Sequence, residues 1–180
     1  IFRGRIVARN PDHAMLAKPD HDERVRQDFI GALKRRLSQQ VRPANRDFFF
    51  SEAAPAYAAD HGHVPATDDE IAEAMEQNPH WQLWSALNHA AQRQMWIAVS
   101  AMLDRCEADQ ASTYQRLTGS EGKLGSLELD PDFPIPAPIR ENEIHCQPGG
   151  YSLERPPEDF RAGALYESGG MLYSRGQGVG

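Results

Sequence analysis

The strongest secondary-structure signal in the chain lies at residues 79–117, which read PHWQLWSALNHAAQRQMWIAVSAMLDRCEADQASTYQRL. Apolar residues recur there at steps of three or four: Trp81, Trp84, Leu87, Ala91, Met95, Ala98, Met102 and Cys106. Pro79 suits the first position of a helix, Gly119 suits its end, and neither residue type occurs between positions 81 and 117. The segment is therefore predicted to be one long helix that packs closely against other helices.

A second helix is predicted over residues 20–41, where each apolar position follows the previous one by four. The members of this stripe, which is predicted to be buried, are Val25, Phe29, Leu33, Leu37 and Val41. Pro43 is predicted to end the helix, because proline lacks the N–H that a helix interior requires. Residues 44–66 are then predicted to be irregular, with one of the three phenylalanines at 48–50 anchoring a loop in the core.

A short third helix is predicted between these two signals. Thr67 and Glu70 stand at the spacing of a capping box, in which each side chain accepts a hydrogen bond from the other residue's backbone. The pattern predicts a helix near 68–77, with Ile71 and Met75 on its buried side.

Glycine and proline divide the chain into two parts. Residues 1–118 contain 9 of them and residues 119–180 contain 18, so only the first part can sustain long helices. The prediction is a mainly α protein, a helical bundle (1–118) with an irregular Gly/Pro-rich C-terminal part containing short strands (119–180). Strands are expected within 124–129 and at 143–145, and an extended segment at 131–138. Helical propensity over 162–174 is expected to be broken by Gly169 and Gly170.

The composition excludes several classes of protein. The chain has 19 Lys and Arg against 26 Asp and Glu, a net charge of -7, which argues against a nucleic-acid binder. No run of about 18 apolar residues is present, so no membrane span is expected. Two cysteines cannot form a disulfide framework or an all-cysteine zinc site, and the cytoplasm is the expected compartment.

The charge is also unevenly distributed. Residues 1–46 carry 11 Lys and Arg against 5 Asp and Glu, whereas residues 47–180 carry 8 against 21. A solvated basic helix is one explanation of the excess of positive charge in residues 1–46. The alternative is that the basic segment docks on an acidic surface, in its own chain or in a partner's.

Three short motifs could carry chemistry. Asp60, His61 and His63 could share a metal ion, but no second ligand pair stands at a recognised spacing, so an exposed polar loop is favoured and no metal site is expected. Cys146 beside His145 could be a thiolate nucleophile, although adjacent side chains usually point to different faces. The glycines at 176, 178 and 180 lack the strand and helix that a nucleotide-binding loop needs.

Two spaced elements near the C-terminus resemble a known family. Residues 144–151 read IHCQPGGY, and residues 161–180 read RAGALYESGGMLYSRGQGVG. They resemble the region ahead of the catalytic domain in a group of bacterial class I S-adenosylmethionine-dependent methyltransferases. Those proteins carry an IHxxPGGY-like element followed by an AGALYxxGxxxYxxGQ-like element, and the match covers about a fifth of this chain.

The resemblance implies an N-terminal accessory region, for substrate binding or dimerisation, of a longer methyltransferase-like protein. S-adenosylmethionine would then be a cofactor of the longer form and not of this chain, which lacks the D/E-x-G-x-G-x-G loop of such enzymes. The residues that suit the lip of a pocket for a small-molecule acceptor are His145, Gly149, Gly150, Tyr151 and Tyr166. A structural turn buttressed by two tyrosines explains the same residues equally well.

Three functional hypotheses therefore stand side by side. The first is the accessory region of a methyltransferase-like protein, in which the catalytic residues are unknown. The second is a non-catalytic helical protein-interaction module, which the long helix and the charge asymmetry favour. The third, a small metal-dependent or thiol enzyme, has only the histidine and cysteine motifs in its support. A homo-oligomer is the expected assembly.

Overall fold

The computed structural model describes residues 13–120, 130, 132–137, 146–149 and 159–177. The predicted long helix is present as α5, Pro79–Ser120. It begins where predicted, since Asn78 Oδ1 accepts a hydrogen bond of 2.8 Å from the backbone N–H of His80. Its predicted apolar stripe faces inward: Ala91, Met95, Ala98 and Met102 are buried, and the other members are half-buried.

The core lies where three helices meet. They are α1 (His21–Arg36), α5 and α6 (Arg161–Gln177), and each packs against the other two. Met95, Val99 and Leu103 of α5 are completely buried there, against Ile30 of α1 and side chains of α6. The prediction of a mainly α protein is confirmed, and the described residues contain no strand. Nor is any helix within the described ranges long and apolar enough to cross a bilayer.

The helix that begins at His21 does not stop at Pro43, so that prediction is wrong. The irregular segment predicted at 44–66 is wrong as far as His61, and residues 62–66 are irregular as predicted. A π-helical turn, Leu37–Val41, leads into α2 (Arg42–Phe48), and a second, Phe49–Ala53, leads into α3 (Ala54–His61). In each π turn a backbone N–H bonds five residues back, as Arg42 N–H does to Leu37 O.

The two π turns explain how the chain passes two prolines. Pro43 and Pro55 each stand two residues beyond the end of a π turn. A proline inside an α-helix collides with the carbonyl four residues back and cannot donate to it. The wider π turn removes that conflict, and the helical path ends only at Gly62, whose φ of 79° is left-handed.

The buried face of α1 is not the one that its apolar residues predict. Val25 is 55% exposed and Phe29 is 67% exposed, and Leu33 is half-buried. Leu37 is the one member of the predicted stripe that is buried, and Val41 is half-buried. The residues of α1 that pack inward are Glu23, Gln27, Ile30, Gly31 and Lys34. The prediction was wrong because these polar side chains have specific partners on α5.

The polar contacts set an antiparallel register between α1 and α5. Glu23 accepts two hydrogen bonds from the guanidinium of Arg105, at 2.9 and 2.6 Å. Gln27 Nε2 lies 3.5 Å from Met102 Sδ, and Lys34 Nζ donates to Gln92 Oε1 at 3.0 Å. As residue numbers rise along α1, their partners' numbers fall along α5, so the two helices run in opposite directions.

Glu23 also caps the helix that it belongs to. Its carboxylate accepts a hydrogen bond from Asp20 N–H, while Asp20 Oδ1 accepts one from Glu23 N–H. The hydrogen bond from Arg105 lowers the pKa of Glu23. The buried carboxylate of Glu23 therefore caps the N-terminus of α1 and also links α1 to α5.

The capping-box prediction for the short helix is confirmed. This helix, α4, spans Asp68–Met75, and Thr67 and Glu70 cap it reciprocally. Met75 is buried as predicted, whereas Ile71 is 37% exposed.

The C-terminal glycine pair does not break its helix, contrary to prediction. Helix α6 runs continuously through Gly169 and Gly170. A Cβ atom on Gly169 would overlap the indole of Trp96, whereas one on Gly170 would meet no atom within 4 Å. Gly169 therefore allows α6 to approach α5 closely, and this contact outweighs its low helix propensity.

The other segments for which the C-terminal predictions were made are described only in part. The strands expected within 124–129 and at 143–145 lie outside the described residues. Of the extended segment at 131–138, residues 132–137 are described and exposed, with Phe133 at 65% and Ile135 at 42%.

The two glycines provide a matched test of this close approach. We expect Gly169→Ala to destabilise the protein by about 1–3 kcal/mol, because the indole of Trp96 must move. Gly170→Ala should instead stabilise it by up to about 1 kcal/mol, since alanine is the better helix former. Urea unfolding of both variants measures the difference. Equal effects at the two positions would contradict the packing argument.

Candidate functional site

A pocket of about 250 Å³ lies between α5 and α6. We call it the α5–α6 pocket; its lining residues are Gln92, Met95, Trp96, Gln147, Tyr166, Gly169, Gly170 and Tyr173. Tyr166 and Tyr173 stand three residues before and four residues after Gly169, so all three lie on one face of α6. The pocket therefore lies where two tyrosines flank a position that has no side chain.

Of the five residues predicted to line a pocket, two fall in the described part of the chain. Tyr166 lines the α5–α6 pocket and is 67% exposed. Gly149 is exposed, with a left-handed φ of 85°, in the turn that follows Gln147. His145, Gly150 and Tyr151 lie outside the described residues. The sequence analysis missed Gln92, Trp96 and Gln147, because only the tertiary packing brings them to Tyr166. It missed Tyr173 because the helix that places both tyrosines on one face was expected to be broken at Gly169 and Gly170.

Trp96 also borders a second hollow, of about 630 Å³, to which His89, Arg93 and Asp104 of α5 contribute. Cys146 and Pro148 line this hollow, whereas Gln147 between them lines the α5–α6 pocket. The segment 146–149 therefore borders both spaces. The two sequence elements that carry the resemblance thus come together beside Trp96.

The backbone at Cys146 is itself unusual. Its φ is 52°, in the left-handed region, which costs a residue other than glycine roughly 1–2 kcal/mol. Its side chain is half-buried and packs against the core cluster. The core contact holds this strained residue in place beside the pocket.

Lys34 of α1 lies behind the pocket wall. Its side chain is buried, with the residue only 6% exposed. Besides Gln92 Oε1, its Nζ contacts Met95 Sδ at 3.8 Å and lies 3.8 Å from the ring centroid of Tyr173. All three partners line the α5–α6 pocket. Burial lowers the pKa of Lys34 to about 8, because the charged amine is removed from water.

Among the described residues, no acidic partner offsets this burial. Within the described ranges, no carboxylate forms an ion pair with the Lys34 amine. The amine is held instead by a neutral amide, a thioether and an aromatic face. These interactions favour a cation only weakly compared with a buried carboxylate.

The histidines at the end of α3 form a different kind of cluster. The ring of His61 stacks on Tyr57 with centroids 3.9 Å apart, and His61 and His63 lie 6.5 Å apart. Their Nε2 atoms lie 3.9 and 4.0 Å from carboxylate oxygens of Glu73 and Glu70. In the part of the chain that is described, no three His, Cys, Asp or Glu side chains are placed to hold a metal ion.

Comparisons of the chain with protein-family models, with curated protein sequences and with solved structures found no match.

The lowered pKa of Lys34 predicts a pH-dependent stability. At pH 7 the native and unfolded states both hold the proton, and the full cost of the buried cation is present. Between about pH 8 and 10.5 the native state releases its proton first, so the free energy of unfolding should rise with pH. Lys34→Met should be the more stable protein at pH 7, by up to about 3 kcal/mol, with a gap that closes toward pH 10.5.

Urea unfolding of the wild type and the variant from pH 7 to 10.5 measures this gap. Arg42→Met, at an exposed position, controls for the loss of a positive charge in general. Parallel stability profiles for the wild type and Lys34→Met would contradict the prediction.

Proposed function

We propose that the chain is the accessory region of an S-adenosylmethionine-dependent methyltransferase-like protein, and that its α5–α6 pocket binds a small organic acceptor. The observation that carries the proposal is that both elements of the resemblance contribute to this pocket: Gln147 from the first, and Tyr166 and Tyr173 from the second. A concave site with an apolar lining and a few polar groups is typical of small-molecule binding.

The buried amine of Lys34 supports a more specific proposal, in which the acceptor has an apolar body and an anionic group. A buried ammonium without a carboxylate partner is costly, and an anion from the ligand would offset that cost. Gln92 separates the amine from the pocket, because its Oε1 accepts from Nζ while its side chain lines the wall. A ligand carboxylate that displaces this amide oxygen would meet the amine directly.

Benzoate and its neutral isostere benzamide test this class of acceptor. In the Trp81→Phe/Trp84→Phe protein, Trp96 is the one tryptophan left of three, so its fluorescence reports on the pocket. At pH 7 we expect benzoate to bind at least about tenfold more tightly than benzamide, a difference of about 1.4 kcal/mol. Lys34→Met should abolish this preference and leave benzamide binding unchanged.

Two further variants separate the pocket from the amine. Tyr166→Ala should weaken the binding of both probes, whereas Leu83→Ala, at an exposed position of α5 outside the pocket lining, should weaken neither. Equal binding of the two probes would contradict the proposal that the acceptor is anionic, but it would still support the proposal that the pocket binds a small organic molecule. Failure of both probes to bind would contradict the pocket itself.

The cofactor provides a separate prediction. We expect no binding of S-adenosylmethionine to residues 1–180, because their sequence has no strand followed by a glycine loop and a ribose-binding carboxylate. Calorimetric titration measures this directly. A micromolar dissociation constant would contradict the expectation that the cofactor belongs to the longer form.

One observation favours the alternative, a non-catalytic helical interaction module located in the cytoplasm. An apolar groove of about 500 Å³ lies among α2, the second π turn, α4 and the start of α5. Phe49, Phe50 and Ile71 line it with Trp81 and Trp84, whose rings stack 5.1 Å apart. Grooves of this kind accept the apolar face of a partner helix.

A further inference from the structure

We propose that α1 pairs, antiparallel, with α1 of a second copy of this chain. The proposal does not depend on the α5–α6 pocket, whose lining includes no residue of α1. It starts from the face of α1 that points away from those helices. That face consists of Asp22, Val25, Arg26, Phe29, Ala32, Leu33 and Arg36, of which only Leu33 is half-buried and the rest are exposed.

The middle of this face is apolar and uncovered in the described structure. Phe29 and Val25 are more than half exposed, although each would contribute roughly 1.5–3 kcal/mol if fully buried. They cannot turn inward, because Glu23, Gln27 and Lys34 hold the opposite face of α1 against α5. Only a surface from outside the described fold can bury them.

The spacing of the face is symmetric about Phe29. The other members stand three, four and seven residues to either side of it, and Phe29 lies at the middle of α1, which spans His21–Arg36. A two-fold axis beside Phe29 therefore places Val25 of one copy opposite Leu33 of the other. The two phenylalanines meet at the axis itself, as in other isologous interfaces.

Charge selects the antiparallel direction. About the same axis, Asp22 of each copy lies opposite Arg36 of the other, so the interface ends in two pairs of opposite charges. A parallel arrangement would instead place aspartate beside aspartate and arginine beside arginine. A second copy therefore places apolar residues opposite apolar ones at the centre of this face and opposite charges at its two ends, and Arg26 lies opposite Ala32.

A charge-swap series tests the pairing by sedimentation equilibrium. Asp22→Arg alone faces Arg36 of the partner, and Arg36→Asp alone faces Asp22, so each should weaken dimerisation at least about tenfold. The double variant Asp22→Arg/Arg36→Asp restores opposite charges across the axis and should return the dimerisation constant to within about threefold of the wild type. Circular dichroism checks that all three variants remain folded.

Phe29→Glu tests the centre of the interface, because it places two carboxylates together at the two-fold axis. We expect this variant to be monomeric and as stable as the wild-type monomer. A wild-type protein that is monomeric at every concentration would overturn the proposal, as would a dimer that Phe29→Glu leaves intact. A monomer that Phe29→Glu destabilises would show that another segment of the same chain covers the face, which also overturns it.

Discussion

The contact between Trp96 and Gly169 is the constraint on which the rest of the structure depends. Because Gly169 has no side chain, the indole of Trp96 can occupy that space and α6 packs directly against α5. The tyrosines one turn to either side cannot follow that close approach, and the α5–α6 pocket opens between them. Trp96 thus belongs to the core and to the candidate site at once. Packing and binding are therefore coupled at this residue.

The arrangement of α1 follows from a second constraint, the burial of polar side chains. A buried salt bridge or amide contact contributes little net stability compared with well-packed apolar residues, but it tolerates only one register. Glu23 with Arg105, Gln27 with Met102 and Lys34 with Gln92 together fix where α1 lies along α5. With α1 in this orientation, Val25 and Phe29 remain exposed in the described structure and form an apolar surface.

The sequence predicted those elements whose signals are local. The apolar spacing of α5 and the capping box of α4 each depend on residues within a few turns of one another, and both helices were confirmed. The helix was predicted to end at Pro43 because the π turn that removes the steric conflict of this proline has no recognised sequence signature. The inward face of α1 and the unbroken helix at Gly169 were missed because partners on α5, distant in sequence, decide them. For the site, Tyr166 was found by its motif, whereas Lys34 and Trp96 join it only through the fold.

Lys34 takes part both in the contact between α1 and α5 and in the support of the pocket wall. A methionine at position 34 has nearly the same length and would fill the space beside Met95 and Tyr173 without carrying a charge out of water. The amine adds the hydrogen bond to Gln92 that helps to set the register of α1, and the lowered pKa of Lys34 shows that burying it as a cation opposes folding near neutral pH. Its three partners, Gln92, Met95 and Tyr173, all line the α5–α6 pocket, and Met95 also belongs to the central core. The unfavourable burial of the Lys34 ammonium beside the pocket supports a role in ligand binding, because an anion bound in the pocket would interact favourably with this ammonium.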